Sequence, residues 1–184
     1  MNATRLPIPA TDRIRRTLAR VFRAARRRRL RRASAACPDG QAPGHVGTFE
    51  CTTFIRIWVD ADALHPGSAD GIHVADNRSD MGSRLQGTSM LSSCVRAGGR
   101  ICWEMFNISP TSDVVLRIRS ITTSALFAPD AQPRPAPDNA DAYTAIATHP
   151  GSDTYAIAFD VIRPGQSAMR FRITPTLSVL EHNA

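Results

Sequence analysis

The chain has 184 residues, a length that fits one domain with an appendage better than two full cores. Its formal charge of +7 suggests a nucleic-acid binder, but the charge is unevenly placed: residues 1–36 carry twelve Arg against Asp12 (net +11), and residues 37–184 carry eleven Arg against fifteen acids (net −4). All 23 basic residues are Arg, no apolar run is long enough to span a bilayer, and no apolar core of a secretory signal follows the first arginines.

Residues 1–36 form an Arg-rich extension. Thr11 or Asp12 is placed to cap a helix, and Ile14, Leu18, Val21 and Ala25 recur at spacings of three and four. Such a basic amphipathic helix suits an anionic membrane or nucleic-acid phosphates, and any such partner is expected to act only through this segment. Like-charge repulsion gives the alternative of a disordered arm, and a start placed too early in the reading frame gives another. The arginines with almost no acid also resemble an organelle transit peptide. Residues 37–52, "CPDGQAPGHVGTFECT", read as a Pro/Gly linker.

The folded domain is expected over 53–184. "TFIRIWVDA" is a strand of β-branched and aromatic residues with no breaker inside. "GIHVA" is a short edge strand in a polar, glycine-punctuated stretch. "TSMLSSCVRAGGRICWEMFNIS" reads as a hairpin of two strands around Gly98 and Gly99, because a Gly-Gly pair supplies the positive φ angles that hairpin turns require. "DVVLRIRSIT" is a further strand. "APDAQPRPAPDNADA" has four prolines and is expected to join neither sheet nor helix. "YTAIATHPG", "DTYAIAFDVIRPG" and "MRFRITPTLSVLE" complete the set. Short strands between turn signals predict an all-β sandwich of about seven or eight mostly antiparallel strands.

Candidate chemistry is sparse. Asp60 and Asp62, at the end of the first strand, together with Asp70, Asp76, Asn77 and Asp80 could offer oxygens to a Ca²⁺, although no regular Ca²⁺-loop spacing is present. Without that ion, no cofactor is expected. Asn107 and Asp113 flank a Pro-containing turn, where an Asn commonly bonds its own backbone; with Trp103 they are the candidates for contacting a sugar. Trp58 and Trp103 lie on strands, as core or sheet-face residues do. The five histidines have no metal spacing, there is no Gly-x-Ser-x-Gly, and acid–base work is left to a carboxylate pair such as Asp60 with Glu104. No enzymatic activity is expected.

Of the four cysteines, Cys94 and Cys102 face each other if the turn centres on Gly98. With a two-residue Gly98–Gly99 loop, Cys94 faces Trp103 instead and a bridge would be strained. Reduced thiols are the expectation, with Cys37 and Cys51 as the exposed pair.

As a set, the strand ending in "VDAD", the central "GGRICWEMFNIS", the "DVVLRI" strand, the Pro-rich loop and the final "MRFRITPTLSV" resemble the bacterial AidA/PixA inclusion-body protein family. Gly98, Ile101 and Trp103 match its central motif, and Phe171, Pro175, Leu177 and Val179 echo its ending. Gly99, Cys102 and Ile173–Thr174 depart from it. The likeness spans Phe54 to Leu180 and leaves out the basic extension. It implies a non-catalytic, self-associating protein stored as cytoplasmic inclusions in a bacterium, associated with quorum sensing and acting as a homo-oligomer. A carbohydrate-binding, lectin-like module is the alternative.

Overall fold

The structure, a computed structural model, describes residues 46–109, 112–122 and 124–181. The extension 1–36, Cys37, His45 and His182 lie outside the described residues. Eleven strands arise from this sequence: β1 (Thr53–Val59), β2 (Ile72–Asp76), β3 (Ser92–Arg96), β4 (Arg100–Asn107), β5 (Val115–Ile121), β6 (Arg134–Ala136), β7 (Asn139–Ile146), β8 (Gly151–Thr154), β9 (Ile157–Ile162), β10 (Met169–Ile173) and β11 (Thr176–Leu180). Among the described residues the helical content is confined to two short 3-10 turns, Thr48–Glu50 and Ser79–Met81. The protein is therefore all-β, as its alternating patterns predict.

One layer is a five-stranded sheet in the order β2-β1-β4-β7-β6. β1 lies between β2, to which it is antiparallel, and the central β4, to which it is parallel, and every residue of β1 is buried. The opposite layer is built on one long bent hairpin. β9 pairs with β10 and β8 with β11, and the register runs unbroken from Ile157↔Ile173 to Thr176↔Thr154. Between those pairs sits Pro175, which has no N–H to give to the ladder. Tyr155 N–H still donates to the Pro175 carbonyl at 3.1 Å, so the hairpin bends without coming apart. The bend divides the layer into two three-stranded sheets: β5 flanks β9, and β3 flanks β11 in parallel.

Period-two alternation explains the core. Ile157, Phe159, Val161, Phe171, Ile173, Leu177 and Val179 point inward from the hairpin and pack with Ile55, Ile57, Val59, Ile101 and Trp103 of the five-stranded sheet. Phe159 and Phe171 are stacked, with ring centroids 5.7 Å apart. A smaller apolar cluster of Val46, Cys51, Phe54, Cys102, Ala136 and Ala142 lies on the other face of the five-stranded sheet.

Four expectations change. Residues 46–52, inside the expected linker, pack onto the body: the Val46 carbonyl accepts from Thr144 Oγ1 at 2.7 Å and the Asp138 carboxylate accepts from Thr48 N–H and Oγ1. The Pro-rich segment contributes β6, which pairs with β7; as an edge strand it needs bonds on one side only, so Pro135 is tolerated. With β6 added and the last two predicted strands each divided at the Tyr155/Pro175 bend, about eight strands become eleven.

The fourth change concerns the Gly-Gly turn. Its strands do not form a hairpin: β3 pairs with β11 and β4 with β1 and β7, so Gly98–Gly99 connects the two layers. Gly98 adopts φ 81°, and a Cβ on Gly99 would meet the Arg96 carbonyl oxygen at 2.8 Å. Cys94 and Cys102 are consequently in different sheets, and Cys51, Cys94 and Cys102 are free thiols, with Cys51 buried rather than exposed.

Candidate functional site

The candidate sugar-binding and metal-binding residues lie within the described part of the chain. Trp103, on β4, is 0% exposed. Its indole meets Phe127 and Tyr155 edge-on, and Nε1 donates to the Tyr155 hydroxyl oxygen at 3.0 Å, so neither ring face is open to a sugar. Asn107 closes β4, and its Oδ1 accepts from Ser109 N–H at 3.1 Å in a local turn, while Asp113 is exposed in the loop that follows. Trp58 is buried beside Phe106.

β1 ends at Val59, so Asp60 and Asp62 sit in the next turn instead of sharing a strand face. Asp60 Oδ1 accepts from Asp62 N–H and Ala63 N–H, an arrangement in which a carboxylate stabilises its own turn. Asn77 is likewise structural, accepting from Phe54 N–H and donating to the Thr52 carbonyl. Glu104 pairs with Arg56, its register partner on β1, at 3.1 Å. Among the described residues no group of three His, Cys, Asp or Glu side chains is arranged to hold a metal ion.

The densest buried polar chemistry is elsewhere, around Asp76 at the end of β2. Opposite Ile55 in the register, Asp76 turns inward and is 6% exposed. Its Oδ1 accepts from Gln86 Nε2 at 2.7 Å and from Arg78 N–H at 2.9 Å, and its own N–H donates to Gln86 Oε1 at 2.9 Å. Oδ2 is buried with no protein donor, as are Arg78 Nε and Ser93 Oγ without partners. That oxygen is left able to accept one further hydrogen bond.

The electrostatic reach of Asp76 is visible in two neighbours. Burial pushes the Tyr155 hydroxyl far above its ordinary range; the bond from Trp103 opposes this and the Asp76 charge adds to it. Burial also raises the Cys94 thiol, with Asp76 adding to the effect and Arg78 and Arg96 opposing it. Both groups are thereby held protonated. A neutral phenol and a neutral thiol beside a fixed carboxylate make a structural polar centre rather than an activated nucleophile.

A second polar cluster lies where β7 leads into β8. Ser124 Oγ donates to Asp153 Oδ2 at 2.7 Å, and the backbone N–H of Leu126 donates to that hydroxyl. His149 Nδ1 lies 3.0 Å from Thr148 Oγ1. Ser124 thus bonds directly to the acid with no imidazole interposed, which is not the order a Ser-His-Asp relay requires. Nothing in the local sequence marks this pair, since its members are 29 residues apart.

Comparison with known proteins bears on the fold. A family model described as Domain of unknown function (DUF8788) matches residues 51–167. The crystal structure of an inclusion body protein (PixA) from Burkholderia cenocepacia J2315 is similar with a TM-score of 0.55 and 13% sequence identity, over 78% of this chain and 100% of that one. The likeness shows a PixA-like fold. No curated protein matches the sequence.

Proposed function

The chain belongs to the family described as Domain of unknown function (DUF8788), and from that membership and its PixA-like fold we propose a non-catalytic, self-associating protein of the inclusion-body type, stored in the bacterial cytoplasm. The observation that carries the reading is an apolar projection on the loop between β2 and β3. Leu85 is 55% exposed and Met90 is 67% exposed. Leu85 also holds φ 57°, a left-handed conformation that costs a leucine about 1 kcal/mol.

This exposed leucine is pinned in place. Its carbonyl accepts from Thr88 N–H and from Thr88 Oγ1 at 2.8 Å, and the same Oγ1 accepts from Met90 N–H at 3.2 Å. Two exposed apolar side chains, one of them on a strained and pinned backbone, are what a contact between copies uses, and they have no role in the core.

Three of the six sheet edges argue for contact through side chains rather than strand addition. The outer edge of β2 is engaged by Thr88, and β6 is three residues long with Pro135 inside. β5 carries a bulge between Ile118 and Ser120 and exposed arginines. Each of these features blocks indiscriminate strand pairing. Light scattering of the full chain against concentration tests the reading: wild type assembles, and Leu85→Asn with Met90→Ser stays monomeric.

A further inference from the structure

The outward face of the sheet formed by β10, β9 and β5 is strongly basic, although residues 37–184 carry a net −4. Ile118 and Ile121 of β5, Ile157, Phe159 and Val161 of β9, and Phe171 and Ile173 of β10 point into the core, so the alternate positions point out. These include Arg117 and Arg119 on β5, Asp160 on β9, and Arg170 and Arg172 on β10, with all four arginines exposed. Four guanidinium groups against one carboxylate leave +3 on this face.

The pairing register sets the layout. Arg117, Asp160 and Arg170 form one row across the three strands, and Arg172 stands beside Ala158 in the next. Asp160 accepts from Arg170 Nε at 3.2 Å and pairs with Arg119 Nε at 3.4 Å, which steers those two side chains over the centre of the face. Arg117 and Arg172 have no ion-pair partner among the described residues. On the regular strand β10, Arg170 and Arg172 are spaced about 6.8 Å, close to the axial rise of two nucleotides in a duplex strand.

We propose that this face binds the phosphate backbone of duplex nucleic acid, independently of base sequence. Charge complementarity favours phosphates, and the guanidinium fork suits phosphate oxygens better than a point charge does. The outward positions hold no aromatic residue, so unpaired bases have nothing on which to stack. The absence of Trp, Tyr or Phe there also leaves nothing to anchor in a bilayer interface.

The test uses the full chain and a short labelled duplex DNA, titrated at several salt concentrations. Arg117→Gln with Arg172→Gln should weaken binding at least tenfold at low salt. It should also flatten the plot of log affinity against log salt by about 1.8, or ~0.9 for each lost phosphate contact. Arg84→Gln with Arg96→Gln removes the same charge from exposed positions off this face and should change neither quantity appreciably. Equal losses from the two pairs, as net charge alone would give, would overturn the proposal, as would unchanged binding by the first pair. Loss of binding to anionic phospholipid vesicles with duplex binding intact would assign the face to a membrane and overturn it as well.

Discussion

Trp103 Nε1 donates to the Tyr155 hydroxyl oxygen at 3.0 Å, joining the middle of β4 to the bend of the opposite hairpin through the centre of the core. Tyr155 stands opposite the Pro175 break and still donates its N–H to the Pro175 carbonyl, so one residue secures the bend by its backbone and the layer contact by its side chain. Tyr155→Phe leaves the indole N–H buried without an acceptor. It should cost about 1 to 3 kcal/mol in denaturant unfolding with an unchanged m-value.

The same hydroxyl sets an alkaline limit on stability. The folded pKa of Tyr155 lies above its unfolded value of about 10, so the unfolded chain loses this proton first. The stabilisation is complete below pH ~10 and declines as pH rises through the folded value. Only two tyrosines are present, and Tyr143, which is half-buried, is raised by burial with Arg119 opposing. Spectrophotometric titration should show one tyrosine ionising in the folded state and the second together with unfolding; Tyr155→Phe should abolish the second step.

Asp76 Oδ1 gathers two hydrogen bonds in a buried setting, and the carboxylate is tied reciprocally to Gln86. Asp76→Ala removes the acceptor and leaves the Gln86 amide and Arg78 N–H to find solvent. A loss of about 2 to 3 kcal/mol is expected from thermal or denaturant unfolding. Because Asp76 contributes to raising the Cys94 thiol, the variant should also react faster with a thiol reagent at that cysteine while still folded.

The link between the layers depends on backbone shape. Gly99→Ala drives a Cβ against the Arg96 carbonyl oxygen, which cannot move without disturbing the turn closed by Gly99 N–H to Arg96 O. Gly98→Ala has open space but must hold φ 81°. Both should destabilise, by about 1 kcal/mol at Gly98 and by more at Gly99, as read from unfolding midpoints.

The fold class was legible because the strand patterns are local: the alternation in "AIAFDV" and "RFRI" names the inward residues correctly. The β3–β4 connection was not, because a Gly-Gly pair serves a hairpin and a crossing between sheets equally well. β6 was hidden by Pro135, which a central strand would reject and an edge strand accepts. Trp103 could not be placed from periodicity, since both faces at that point of β4 are buried and the in/out signal vanishes. Asp76 stood among the possible Ca²⁺ ligands, but its buried hydrogen bonds depend on Gln86, ten residues away. The pairs Arg117/Arg119 and Arg170/Arg172 show period two in the sequence, yet only β9 lying between their strands makes them one face.

Replacing Leu85 separates self-association through the Leu85–Met90 projection from stability. Asparagine tolerates the left-handed conformation better than leucine and removes the apolar contact, so Leu85→Asn should leave thermal stability unchanged or slightly higher. Sedimentation velocity of the full chain over a concentration series is the most direct measurement. Wild type should form growing assemblies, and Leu85→Asn should shift to monomer at equal or higher melting temperature. A wild type that stays monomeric throughout, or a variant that assembles as wild type does, would contradict it.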